Sequence, residues 1–191
     1  MKCKRWDATL LGVVAIALAC ENSAPVAAPA TSRADALSAS VGAPTAAAQI
    51  GWQIFGSASA TAADGLKIIV TGAGTFVAPA SGGGTSSAAT GGGNWETRDA
   101  SNVVTGSGTY QVTGLVRWER ALAFVPSIPG STAGLAVLRV EYSDGSAGTM
   151  TISCRISGAQ PGRFEGVTAS KGFVDFWNPT LPGPNLFHVL N

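Results

Sequence analysis

Tyr110-Gln111-Val112-Thr113-Gly114-Leu115-Val116-Arg117-Trp118-Glu119 decides the fold class of this chain. Tyr110, Val112, Gly114, Val116 and Trp118 alternate with Gln111, Thr113, Leu115, Arg117 and Glu119, the period of a strand with one face buried. Residues 66–71, 134–142, 149–156 and 172–177 are further runs rich in β-branched or aromatic side chains, bounded by Gly, Pro, Asp or Ser. No segment of helical length beyond the first twenty residues keeps a 3.6-residue apolar period. The pattern predicts an all-β domain over residues 49–191, an antiparallel β-barrel. A β-sandwich is the alternative, because both use short alternating strands.

Two hairpins can be placed. Asp99-Ala100-Ser101-Asn102 has the turn chemistry to join Trp95–Arg98 to Val103–Thr105. The second turn centres on Ser143-Asp144-Gly145-Ser146. A two-residue loop there would set Thr149 and Thr151 opposite Val140 and Leu138. One more loop residue puts Met150, Ile152 and Cys154 on the face of Leu138, Val140 and Tyr142, so the longer loop is expected and Cys154 lies inside.

The ends of the sequence carry a different message. Met1-Lys2-Cys3-Lys4-Arg5 is a positive start, residues 10–19 are apolar, and Ala17-Leu18-Ala19-Cys20 is a small-residue cleavage site. This stretch resembles the lipobox of bacterial lipoproteins, with Ala17 and Leu18 in the reverse of the commonest order. The resemblance implies removal of residues 1–19, lipidation of Cys20 and anchoring in the bacterial cell envelope, at a periplasmic or outer-membrane face. An ordinary secretory signal that releases a soluble protein is the alternative. The apolar run is too short to cross about 30 Å of hydrocarbon. Residues 20–48 are rich in Ala, Pro, Ser and Thr with few large apolar side chains, and read as a disordered tether. The Gly/Ser-rich residues 81–93 lack the Gly-Lys-Ser/Thr ending of a phosphate loop and read as a surface loop.

Composition removes several classes of function. The signal holds three of twelve basic and one of eleven acidic residues, so nine and ten remain in the mature chain. A near-neutral chain with 12% charged residues has no basic stripe for phosphates, so nucleic acid is not an expected partner. Removal of Cys3 and lipidation of Cys20 leave Cys154 alone, and no internal disulfide can form. His188 is the single histidine, and the sequence has no Gly-x-Ser-x-Gly elbow, His-Glu-x-x-His or Cys-x-x-Cys. No metal and no cofactor are expected.

Gly162-Arg163-Phe164-Glu165-Gly166, running on to Phe173, resembles the late hairpin of allene oxide cyclase and dirigent barrels. Gly93-Asn94-Trp95 and the stretch to Tyr110 resemble lipocalin-type barrels. Gly93-Asn94-Trp95 falls in mid-domain instead of opening the first strand, and no catalytic residue of those families has a matching position. The resemblance implies a barrel and carries no active site.

The remaining candidates are polar groups among apolar ones. Asp175 in Phe173-Val174-Asp175-Phe176-Trp177 is expected to be a carboxylate against an apolar face, which requires a partner or a raised pKa. Arg117, Arg139 and Arg155 are candidate partners, and Glu119, Glu141 and Glu165 are secondary candidates. Trp95, Trp118 and Trp177 are expected in the core or lining a cavity. The ligand-binding set is therefore Asp175, Trp177, Arg117, Trp118 and Arg139, each against the structural alternative of packing or an ion pair. Three functions fit: a binder of an apolar or amphipathic small molecule in a barrel, a cofactor-free cyclase- or isomerase-like barrel enzyme, and a structural or adhesive envelope module.

Overall fold

A computed structural model of the chain describes residues 48–78, 88–121, 123–156 and 164–190. The expected signal peptide, Cys20, the expected tether up to residue 47 and residues 81–87 of the Gly/Ser-rich stretch lie outside the described residues. So do Gly162 and Arg163.

Ten strands form, with no helix among the described residues: β1 Ala48–Thr61, β2 Lys67–Ala78, β3 Ala89–Arg98, β4 Val104–Ala121, β5 Ser131–Tyr142, β6 Ala147–Cys154, β7 Gly166–Lys171, β8 Val174–Phe176, β9 Asn178–Leu181 and β10 Asn185–Leu190. Every pairing is antiparallel. The all-β antiparallel expectation is met. Strands β1 to β5 pair in sequence order, and β10 pairs with both β1 and β5, so hydrogen bonding closes a ring of six strands.

Both predicted hairpins form. The Asp99 carboxylate accepts the N–H groups of Ser101 and Val103 at 2.9 and 2.8 Å, and Asn102 takes the left-handed conformation with φ 66°. The β5–β6 register pairs Leu138 with Met150 and Gly134 with Cys154, which leaves a three-residue loop, Ser143 to Gly145. Cys154 is buried at 4% exposure.

Strict alternation in β4 does not survive. Thr113 and Val116 are extra residues opposite β5, so the buried row runs Tyr110, Val112, Leu115 and then the half-buried Trp118. Two bulges let an 18-residue strand turn sharply while keeping apolar groups inside. The loop reading of residues 81–93 also needs correction, since β3 begins at Ala89. Its glycines serve a close approach of strands: a Cβ on Gly93 would stand 1.9 Å from the Thr71 carbonyl oxygen and 2.6 Å from the Gly72 Cα.

Side chains fill the ring. Trp118 packs against Phe76 and Phe187 with ring centroids 5.1 and 4.8 Å away, and Phe187 is fully buried. Trp52, Ile50, Leu138 and Val140 complete this core with Met150 and Ile152 of β6. Each fully buried large apolar side chain contributes about 1.5–3 kcal/mol, and tilted aromatic pairs add roughly 0.5–1.5. A second aromatic group, Trp95, Tyr110 and Tyr142, is capped by Lys171, whose Nζ lies 4.2 Å from the Trp95 ring centroid and pairs with Asp144.

Candidate functional site

Two strands each divide one edge between two partners. On β1, residues 49–54 pair with β10 and residues 59–61 with β9, because Phe55, Gly56 and Ser57 together oppose a single residue of β2. On β5, residues 131 and 132 pair with β10, whereas 134–141 pair with β6. The sheet therefore forks around the start of β10. The fork opens a cleft of about 800 Å³ between the end of β6, the β1 bulge and the segment from Leu181 to Leu186.

Phe55, Val125, Ile128, Ile156, Leu181 and Leu186 line the cleft, together with Pro182 and Pro184. The Pro-Gly-Pro segment is held against the bulge by a hydrogen bond from the Phe55 N–H to the Pro184 carbonyl at 3.0 Å. Gly183 is required there: its φ is +57°, and a Cβ would approach the Ser57 carbonyl oxygen to 2.7 Å. Phe55, Ile128 and Leu181 are 41, 36 and 48% exposed, so the apolar wall is open to solvent.

Polar groups enter this apolar wall at one place. The half-buried Glu165 carboxylate accepts the backbone N–H of Arg155 through Oε2 and that of Asn185 through Oε1, the latter at 2.9 Å. Burial raises the Glu165 pKa above the ordinary carboxylate value, opposed by those two backbone donors. Asn185 is 5% exposed. Its Nδ2 donates to the Ser153 carbonyl at 3.0 Å, and its Oδ1 is buried without a hydrogen-bond partner. The Cys154 thiol also borders the cleft, with its pKa pushed up to about 12 by burial and then by the Glu165 charge. A thiol so held stays protonated at neutral pH and is a poor nucleophile.

None of the five sequence-predicted ligand residues lines this cleft. Asp175 is exposed rather than set against an apolar face. It lies on β8, the last strand of the sheet path, which has only three residues and leaves its outer side to solvent. The strand expected over residues 172–177 is interrupted, because Gly172 and Phe173 form the β7–β8 turn and Phe173 is fully exposed. Trp177 is 65% exposed and so is not a core residue. Asp175 and Trp177 do come together, in a shallow groove of about 310 Å³ with Thr149, Thr151, Thr168 and Ser170. Arg117 is on the surface, paired with Glu119. Trp118 packs inside the ring with Phe76 and Phe187. Arg139 is half-buried on β5, with its Nε buried and unpartnered.

Asn185 and the Leu181–Pro184 wall escaped the sequence reading. The available signal was Pro182-Gly183-Pro184 directly before the apolar run Leu186–Leu190, a turn aimed at a strand. Glu165 was named, but ranked behind Asp175. Among the described residues no group of His, Cys, Asp and Glu side chains is arranged to hold a metal ion. No protein-family model, no curated protein sequence and no solved structure matches the chain.

Proposed function

We propose that this protein is an exported envelope protein, anchored by lipid on Cys20, that binds an apolar or amphipathic small molecule in the cleft at the sheet fork. The observation that supports this reading is the combination of open apolar walls with a half-buried carboxylate and a buried, unpartnered amide oxygen. Ligand sites are concave and mostly apolar, with a few polar groups that fix orientation, and the cleft has that composition. The ring interior is taken up by Trp52, Phe76, Trp118 and Phe187, so this reading takes the fork and not the inside of the ring as the ligand site.

Native mass spectrometry of the full chain tests the binding reading. A retained small molecule that is lost in Leu181→Asp and Ile128→Asp supports it. Both positions are exposed enough to accept a charge without unfolding. A clean mass, together with no saturable uptake of an apolar fluorophore, refutes it. The anchor is tested separately: Cys20→Ala should abolish lipid labelling and release the chain from membranes, and unchanged labelling would sink that part.

A second reading keeps the cleft and makes Glu165 a proton-transfer group in a cofactor-free reaction. It is favoured by the raised pKa of a carboxylate in apolar surroundings. Turnover that Glu165→Gln abolishes while ligand remains bound would distinguish this enzyme from a simple binder.

A further inference from the structure

The geometry points to a protonated primary amine on an apolar chain as the occupant of the cleft, with its ammonium held by the Glu165 carboxylate and the Asn185 side-chain oxygen. This inference rests on the reading of the cleft as a binding site and adds the chemical class of the ligand.

The orientation of Asn185 follows from its neighbour. The Ser153 carbonyl can only accept, so the Asn185 atom 3.0 Å away is the amide nitrogen, and the unpartnered atom is an oxygen in want of a donor. Glu165 accepts the Asn185 backbone N–H through Oε1, and both residues line the cleft. Each Glu165 oxygen accepts one backbone N–H and keeps further lone-pair capacity. Among the described residues no cationic side chain lies within ion-pairing distance of this carboxylate. Arg155 borders the cleft, but its side chain is on the exposed rim, where water screens it.

The buried Asn185 and half-buried Glu165 side chains on the cleft therefore offer acceptors and one negative charge, with the Arg155 guanidinium at the exposed rim. A carboxylate ligand would bring a like charge beside the half-buried Glu165. A hydrocarbon would leave the Asn185 oxygen unsatisfied. An alcohol supplies one donor and no charge. An ammonium supplies three donors and a positive charge for Glu165, and charge-assisted hydrogen bonds are about twice as strong as neutral ones. The apolar chain would then lie along Phe55, Ile128, Ile156, Leu181 and Leu186.

The test is calorimetric titration of the full chain at neutral pH with octylamine, octan-1-ol and octanoate, each below its micelle concentration. Octylamine should bind at least about tenfold more tightly than either of the others. Glu165→Gln should erase most of that advantage. Asn185→Leu provides a second variant if Glu165→Gln fails to fold, and it should weaken octylamine selectively. Octan-1-ol binding without an amine preference, or an amine preference that both variants retain, overturns the assignment of ligand class and leaves the cleft a binding site. Failure of all three compounds to saturate overturns the binding reading itself, and the inference with it.

Discussion

Asn185→Leu separates a residue kept for stability from one kept for a ligand. Asn185 is 5% exposed, donates to the Ser153 carbonyl at 3.0 Å and leaves Oδ1 buried without a partner. Leucine has nearly the same branched shape, so the exchange opens no cavity. Loss of the amide removes a hydrogen bond worth about 0.5–1.5 kcal/mol, and a stranded Ser153 carbonyl would cost roughly 1–3 more. Against this, the substitution removes an orphan oxygen that itself costs about 1–3 kcal/mol, and it buries an apolar group worth about 1.5–3. The midpoints of these ranges leave a gain of about 1 kcal/mol, and their extremes reach a loss of about 2. In a domain of this size each kcal/mol moves the melting midpoint by roughly 2–4 °C. Thermal unfolding should therefore show a midpoint raised by about 2–4 °C, while octylamine binding weakens. A fall of more than about 8 °C, beyond the loss of about 2 kcal/mol that these ranges allow, would refute the reasoning, because it would mean that Oδ1 contributes to the fold.

The other predictions concern the shell around the site. Lys171→Met should cost about 1–2 kcal/mol in urea unfolding, mainly from its contact with the Trp95 ring, since the Asp144 side chain is 42% exposed and the ion pair is screened. Hydrogen bonds from Lys171 and then Ser146 hold the Asp144 carboxyl at about 2, below its ordinary 3.8. The stability it lends is present above pH 3.8 and lost as pH falls towards 2, and Lys171→Met should flatten that acid limb. Glu165 has the opposite sign: with its folded pKa raised by burial above 4.5, the native state holds the extra proton, and stability from this group declines as pH rises past 4.5. Urea midpoints of wild type and Glu165→Gln should therefore diverge in favour of the variant as pH increases, and parallel curves would contradict the assignment. Gly93→Ala should cost at least about 2 kcal/mol, because the atoms in the way of its Cβ are Thr71 and Gly72 backbone that cannot rotate aside; wild-type stability would show that β2 and β3 are not so close.

What was legible in the sequence was whatever is set by neighbours along the chain. The Asp99 turn depends on side-chain acceptors two and four residues from their donors, and the β5–β6 register on matching Met150 and Ile152 to the apolar face of Leu138. Both were readable. The bulges at Thr113 and Val116 were not, because alternation in β4 is unbroken in the sequence and the shift arises from curvature imposed by the ring. Residues 89–93 read as loop because they continue a low-complexity Gly/Ser stretch; their reason for being glycine is the backbone of β2, distant in sequence. Asp175 failed for a different reason. Phe176 takes the buried face of β8, and alternation puts Asp175 on the opposite side, where Phe173 and Trp177 are also exposed. The cleft was least legible, since it depends on which strands share the edges of β1 and β5.

That sharing explains why the polar groups collect where they do. An antiparallel strand between two partners satisfies its backbone on both edges, but where one edge passes from one partner to another the ladder is interrupted. At the start of β10 the interruption is repaired by side chains: Glu165 accepts the backbone N–H groups of Arg155 and Asn185, the Asn185 side-chain Nδ2 donates to the Ser153 carbonyl, and the Ser153 hydroxyl donates to the Phe164 carbonyl at 2.7 Å. A purely structural repair would match every donor with an acceptor. This one leaves acceptor capacity over, on Glu165 and on Asn185 Oδ1, beside an apolar wall and only two residues from the fully buried Phe187 that fills the ring. The surplus is all of one kind. A donor from outside the chain is what would complete it, and a ligand that supplies one would tie β6, β7 and β10 together at the point where the sheet is least continuous.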